Sequence, residues 1–223
     1  MKRIATYAFF IVEAVLFFMF VYMDIMNVEN SYIVKFIAIA LVGAFGLMAG
    51  SEKDNRIVTA ALLFTVAADV CLVLLGKYFW GVPMFAIVQV CYAIRFSFLS
   101  GKPLVGEILK RVIPAVVLGG AVAYFVDPKI GLTVFYGWTF AVNFVHGFEL
   151  QILKPSKRHL VFCIGLVMFA CCDLCVGITN LSPSFMSEQM IRNASIATWI
   201  FYLPSQILIL STTEAFKLKK AEK

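Results

Sequence analysis

Long apolar runs separated by short polar breaks set the pattern of this chain. An α-helix needs about 20 apolar residues to cross roughly 30 Å of hydrocarbon. Scanned at that length, the runs fall at 4–26, 31–49, 57–75, 79–99, 108–126, 130–151, 159–179 and 191–213. They predict an all-α integral membrane protein: a single transmembrane domain over 1–223 with eight transmembrane helices and almost no loop. The fifth run is interrupted by Pro114 and by the Gly119, Gly120 pair. Neighbouring helices can re-satisfy backbone groups freed by such breaks, so the run is retained as a helix.

Composition agrees with the pattern and removes the soluble classes. The chain is 62% hydrophobic and 14% charged over 223 residues, with a mean hydropathy of +0.92, which excludes a soluble enzyme. Short loops rich in Lys and Arg stay cytoplasmic. One side of the eight-helix arrangement collects Lys2, Arg3, Lys53, Arg56, Lys102, Lys110, Arg111, Lys154, Lys157, Arg158, Lys217, Lys219, Lys220 and Lys223; the other has Lys77, Lys129 and Arg192. This alternation requires an even helix count with the N- and C-termini cytoplasmic. The net charge of +6 is therefore a topology signal and not a nucleic-acid footprint, since the basic residues form no aromatic-interleaved patch. The first run is too long for a signal peptide, carries Glu13 and lacks a small-residue cleavage site. Short loops and the lack of a retention signal point to a bacterial cytoplasmic membrane. All six cysteines lie in predicted helices, where they pack as small apolar residues, and Cys171, Cys172 and Cys175 have no His or carboxylate at a metal-ligand spacing.

Against this background Asp69 and Asp173 stand out, each deep in an apolar run, in the near-matching segments LLFTVAADVCLVL and LVMFACCDLCVGI. An ionisable side chain at bilayer depth costs roughly 2.5–3.5 kcal/mol on insertion scales, and such residues usually face an internal cavity. Each Asp segment is followed by a helix with a buried Gln and a nearby Tyr: Gln89 with Tyr92, and Gln206 with Tyr202. The arrangement suggests two parallel four-helix repeats related by an axis along the membrane normal. Helices three and seven would then be mates, with an axis bringing the two Asp residues together. Other polar positions share helix faces: Thr65 with Asp69; Tyr136, Thr139, Asn143 and His146; Trp199, Tyr202 and Gln206. The bland reading of a lone Tyr, Asn or His is an interhelical hydrogen bond worth under about 1 kcal/mol. Lys35 can snorkel, pair with an Asp or meet a lipid phosphate, while Arg95 and Glu149 read as interfacial.

These residues resemble the YhhN family of eight-helix membrane proteins, whose best-known members are lysoplasmalogenases. The family pattern LxFSxxGDxxL is matched by Phe64, Asp69 and Leu72, and in the next helix Phe79, Gly81, Phe85 and Tyr92 fall in register. A second pattern, GxxxFxxSD followed by YYxAQxLIxxS, is met by Gly165, Phe169, Asp173, Tyr202, Gln206, Leu208, Ile209 and Ser211. Lys35 matches a family Lys. The chain departs from the pattern with Thr65 for Ser, Ala68 for Gly, Gln89 for His, Cys172 for Ser, Leu203 for Tyr, Ser205 for Ala and Phe36 for Pro.

The resemblance implies hydrolysis of the vinyl ether bond of a lysoglycerophospholipid to a fatty aldehyde and glycerophosphocholine or glycerophosphoethanolamine. Vinyl ethers resist base and yield to acid, by protonation of the alkenyl carbon. A buried carboxyl, or one beside a second carboxylate, is a suitable acid near neutral pH, and an ionised partner can orient water. Asp69 and Asp173 are thus the expected catalytic pair, with no metal or cofactor required. Lys35, Thr65, Gln89, Tyr92, Tyr136, Asn143, Tyr202 and Gln206 are the expected binding or supporting residues, and the expected partners are a lysophospholipid and the bilayer. Two other classes fit the same residues: a small proton-coupled transporter built on parallel repeats, and a non-catalytic lipid-binding protein whose Asp residues only hydrogen-bond across the repeat axis.

Overall fold

The computed structural model describes residues 2–180 and 186–216, apart from the side chains of Lys2 and Arg3; Lys217, Lys219, Lys220 and Lys223 lie outside the described residues. The described residues form eight helices: α1 (Lys2–Ile25), α2 (Ser31–Gly46), α3 (Lys53–Asp69), α4 (Tyr78–Ser100), α5 (Leu104–Phe125), α6 (Pro128–Leu153), α7 (Lys157–Thr179) and α8 (Glu188–Ser211). Their order and number follow the apolar runs. The chain does not leave helical geometry directly after α3, because Asp69 is followed by a five-residue π turn, Val70–Leu74.

Six helical stretches are long and apolar enough to cross a membrane: Ile4–Ile25, Lys53–Leu74, Tyr78–Ser100, Leu104–Phe125, Lys157–Thr179 and Glu188–Ser211. With the apolar composition, they make this a membrane protein. Two of the eight expected spans fall outside that group. α2 has only 16 residues, and α6, at 26 residues, is diluted by Asn143, His146 and Glu149.

Local chemistry explains the helix boundaries and breaks. Asp127 caps α6 by accepting from the Lys129 and Ile130 backbone amides, with Pro128 pre-setting the first turn. Ser156 and Ser187 cap α7 and α8 in the same way. Pro114 leaves α5 continuous, since the Lys110 carbonyl that it orphans accepts from Trp138 Nε1 at 3.4 Å. The neighbouring glycines are packing elements. A Cβ on Gly119 would lie 2.8 Å from Gly131 O, and one on Gly131 would lie 2.4 Å from Ala123 Cβ, so α5 and α6 meet through small residues.

Helix neighbours repeat under a shift of four. α1 packs on α2 as α5 on α6, α3 on α4 as α7 on α8, α2 on α3 as α6 on α7, α8 on α2 as α4 on α6, and α8 on α1 as α4 on α5. One contact breaks the pattern: α3 meets α8, whereas α7 and α4 keep their backbones apart. The core follows this frame, with Val88, Leu62, Leu166, Leu203, Ile209 and Phe20 fully enclosed.

Replacing Gly131 by Leu forces α5 and α6 apart, and overpacking of this kind costs about 1–3 kcal/mol. A lowered midpoint of thermal unfolding in detergent is expected, while Gly120→Ala, where a Cβ meets nothing within 4 Å, leaves it unchanged.

Candidate functional site

Asp69 closes α3 at the start of the π turn, a distortion that recurs at functional sites. Its position is fixed by packing behind it. Leu72 of the turn sits against Gly81 of α4, where a Cβ would come within 2.2 Å of Leu72 Cγ. Asp69 is 3% exposed and its Oδ2 accepts from the Tyr202 hydroxyl of α8 at 2.7 Å. Asp173 of α7 is half-buried, and its Oδ2 accepts from the Tyr136 hydroxyl of α6 at 2.9 Å. Among the described residues no cation pairs with either carboxylate, and neither Oδ1 takes a hydrogen bond. Each Asp thus keeps one oxygen uncommitted.

Among the described residues no hydrogen bond joins the two carboxylates directly. No Cα of α3 comes within 8 Å of α7. Aromatic rings pack beside both pairs: Phe85 of α4 stands 6.1 Å from Tyr136, 6.3 Å from Tyr202 and 6.0 Å from Phe169 of α7. The repeat logic explains the asymmetry. With Gln89 aligned to Gln206, Tyr202 of α8 corresponds to Phe85 of α4. Phe85 has no hydroxyl to give Asp173, and Tyr136 supplies it from α6 instead.

Lys35 is in the same neighbourhood. Its Nζ contacts both oxygens of Asp24 at 2.8 Å and lies 5.3 Å over the Trp199 ring, which packs on Tyr202 at 5.2 Å. Of the three roles open to it, pairing with an Asp is the one observed.

The remaining expected site residues belong elsewhere. Thr65 donates to Ala61 O of its own helix. Gln206 Nε2 donates to Ser205 Oγ at 3.1 Å. The α6 stripe divides, because Tyr136 serves Asp173 while Asn143 and His146 serve a separate network. There, Asn143 Nδ2 donates to Gln89 O at 2.8 Å and Gln89 Oε1 at 3.0 Å; Arg111 donates to Asn143 Oδ1 at 2.9 Å and Glu107 Oε2 at 3.0 Å, and its Nη2 meets His146 Nδ1 at 2.7 Å. Arg111, read from sequence as a loop charge, is buried in α5. Beside this network a cleft of about 120 Å³ opens between α4, α5 and α6, lined by Ala86, Val90, Ile108, Phe135 and Thr139 as well as Gln89 and Arg111.

Arg95 is likewise not interfacial. It is 2% exposed, pairs with Asp54 at 2.8 Å and lies 4.5 Å over Phe162. Arg158 of α7 completes the cluster at 2.9 Å from Asp54 Oδ2 and also bonds Asn55 Oδ1 and Thr212 O. Tyr92 packs on Phe162, and with Arg95 it lines a cavity of about 10 Å³, the size of one water. Sequence reasoning missed Asp24, Asp54 and Glu107 because each lies near a helix end, where a polar residue carries no signal.

The fold and site define a class: an all-helical membrane protein whose apolar interior holds two carboxylates, each tied to a tyrosine beside packed aromatic rings. The YhhN family profile matches residues 30–213, and the chain belongs to the YhhN family. No curated protein and no solved structure matches it.

Asp54→Ala leaves Arg95 buried without its partner, and breaking a buried pair costs about 3–5 kcal/mol. Thermal unfolding should report a loss of that order, whereas Tyr136→Phe, which removes one hydrogen bond to a half-buried group, should cost about 1 kcal/mol.

Proposed function

We propose that this protein is a membrane-embedded hydrolase that cleaves the vinyl ether bond of a lysoglycerophospholipid by acid catalysis, with all eight helices crossing a bacterial cytoplasmic membrane. The observation that carries the reading is the pair of carboxylates, each held by a Tyr hydroxyl on one oxygen and uncommitted on the other, with Phe85 packed against both tyrosines.

Asp69, the more deeply buried, is the acid: its proton adds to the alkenyl carbon distal to the ether oxygen, leaving an oxocarbenium ion. Asp173, the more accessible, accepts a proton from the water that attacks the cationic carbon. The hemiacetal then collapses, its carbon–oxygen bond to glycerol breaking as the proton on Asp173 passes to the departing alcohol and the hydroxyl proton returns to Asp69. Both carboxyls end as they began. The two carboxylates share no hydrogen bond, and a pair that must admit both substrate and water needs room between its members, as in inverting glycosidases. Phe85, Tyr136, Phe169 and Tyr202 pack together beside the two pairs, and aromatic rings of this kind can stabilise the positive charge that develops.

Lys35 is the residue for the lipid phosphate and Asp24 for a cationic head group, while the cleft between α4, α5 and α6 offers an apolar wall for the hydrocarbon chain one turn from Tyr136. Gln89 stands where the family pattern has His, yet it is occupied with Asn143 and its substitution leaves both Asp–Tyr pairs in place.

Purified protein is expected to release aldehyde, followed by coupled reduction, from a lysoplasmalogen and not from its saturated alkyl-ether analogue. Asp69→Asn and Asp173→Asn should each lower the rate by about 10²–10⁴-fold, the usual share of a general acid or base, with thermal unfolding little changed. Full turnover in either variant removes that Asp from the mechanism. Absence of aldehyde from wild-type protein across head groups and chain lengths overturns the hydrolase reading.

A further inference from the structure

Glu13 is a further buried carboxylate, and neither Asp–Tyr pair uses it. It is 2% exposed, and among the described residues neither Oε1 nor Oε2 has a hydrogen-bond partner. One more buried acceptor is in the same condition. Gln206 is 0% exposed, and its Oε1 is unpartnered although its Nε2 is bound. A buried acceptor left unsatisfied costs about 1–3 kcal/mol, so two at once need an explanation.

The helix geometry places the two together. α1 and α8 run antiparallel as neighbours, joined towards one end by Phe20 on Trp199 at 6.0 Å and towards the other by Phe9 and Phe10 on Phe216 at 5.5 and 4.9 Å. Glu13 lies seven residues from Phe20, and Gln206 seven residues from Trp199, both in the direction of Phe216. At 1.5 Å per residue each is about 10 Å along its helix from the upper ring pair. Seven residues is also close to two full turns, so each stays on the stripe of the ring above it. Glu13 and Gln206 therefore share a depth and an interhelical seam.

Two acceptors on one seam have no bond to make, and a single proton turns them into a donor and an acceptor. We propose that Glu13 is a proton-binding site, a carboxylic acid that keeps its proton at neutral pH and donates it to Gln206 Oε1. No described charge competes for this proton. On α2, Lys35 is bound to Asp24 near the far end; on α8, Tyr202 donates to Asp69, while Glu188 and Arg192 lie at the helix start; on α1, Tyr7, Tyr22 and Asp24 lie towards the two ends. The bond fixes the register of α1 on the helix that presents Tyr202 to Asp69 one turn away. Glu13 lies outside residues 30–213 and Gln206 inside them; the site uses neither Asp–Tyr pair, so its test does not depend on the hydrolase reading.

Infrared difference spectroscopy of the full-length protein in detergent reads the site directly through the C=O stretch of a protonated carboxyl. Subtracting the Glu13→Gln spectrum from wild type at neutral pH should leave one such band. In Gln206→Leu that band should move to higher frequency as the acceptor is lost, and in Gln206→Asn, which keeps an amide but withdraws it, the band should also move. Absence of a protonated-carboxyl band from the wild-type minus Glu13→Gln difference shows an ionised Glu13 and overturns the proposal. A band that stays at the same frequency in both Gln206 variants overturns it equally.

Discussion

Hydrocarbon offers no hydrogen bonds, and the arrangement of this protein follows from having to satisfy every buried polar group from within. The consequences extend from the backbone to the site. The carbonyl freed by Pro114 is taken by Trp138, buried Arg95 and Arg111 are each met by carboxylates, and Lys35 is closed onto Asp24. Each of these groups is bound to something that also fixes a helix: Asp54 gathers α3, α4 and α7, and Arg111 ties α5 to α6. The two Asp–Tyr pairs differ because a single neutral hydroxyl serves each carboxylate where elsewhere a cation does. Charge-paired networks hold the bundle in one arrangement, and the sparsely served carboxylates are the groups left able to react.

The same requirement explains why the two Asp residues are reached by different helices. A shift of four helices maps most neighbour relations onto one another, so the bundle carries the imprint of a repeat. A repeat alone would give Asp173 the residue of α4 that corresponds to Tyr202. That residue is Phe85, which supplies a ring and no hydroxyl, and Tyr136 of α6 takes over the bond. The exchange leaves Phe85 packed against both tyrosines, an aromatic ring where a symmetric repeat would carry a second hydroxyl. Such a ring suits a cationic intermediate better than a polar centre would.

Helix number and order were legible in the sequence because apolar runs of membrane length and short polar breaks leave few alternatives; the limits at 31, 79 and 179 in the pattern lie within a residue of those of α2, α4 and α7, whereas the runs starting at 57 and 108 begin four residues inside α3 and α5, whose first turns carry Asp54 and Glu107. Asp69, Asp173, Tyr136 and Tyr202 were also legible, because a carboxylate inside an apolar run is costly and its partners have to be polar. Partner choice was not. Gln89, Tyr92 and Asn143 share the helices of the site, but their side chains turn to Arg111 and Arg95, charges that the sequence reading left at the surface. Side-chain periodicity assigns a residue to a face and leaves open which neighbour meets that face. The π turn after Asp69 was invisible for a related reason: VCLVL reads as ordinary helix, and only the packing of Leu72 against Gly81 reveals the changed register.

The central claim is that a carboxylic acid protonates carbon, and that event leaves an isotopic record. Turnover of a lysoplasmalogen in deuterated water, with the aldehyde analysed by mass spectrometry and NMR, tests it directly. The account predicts one deuterium on the carbon next to the aldehyde group and retention of the original hydrogen on the aldehyde carbon. Aldehyde formed without deuterium at that carbon would contradict it, because the vinyl ether would then have been broken without proton transfer to carbon.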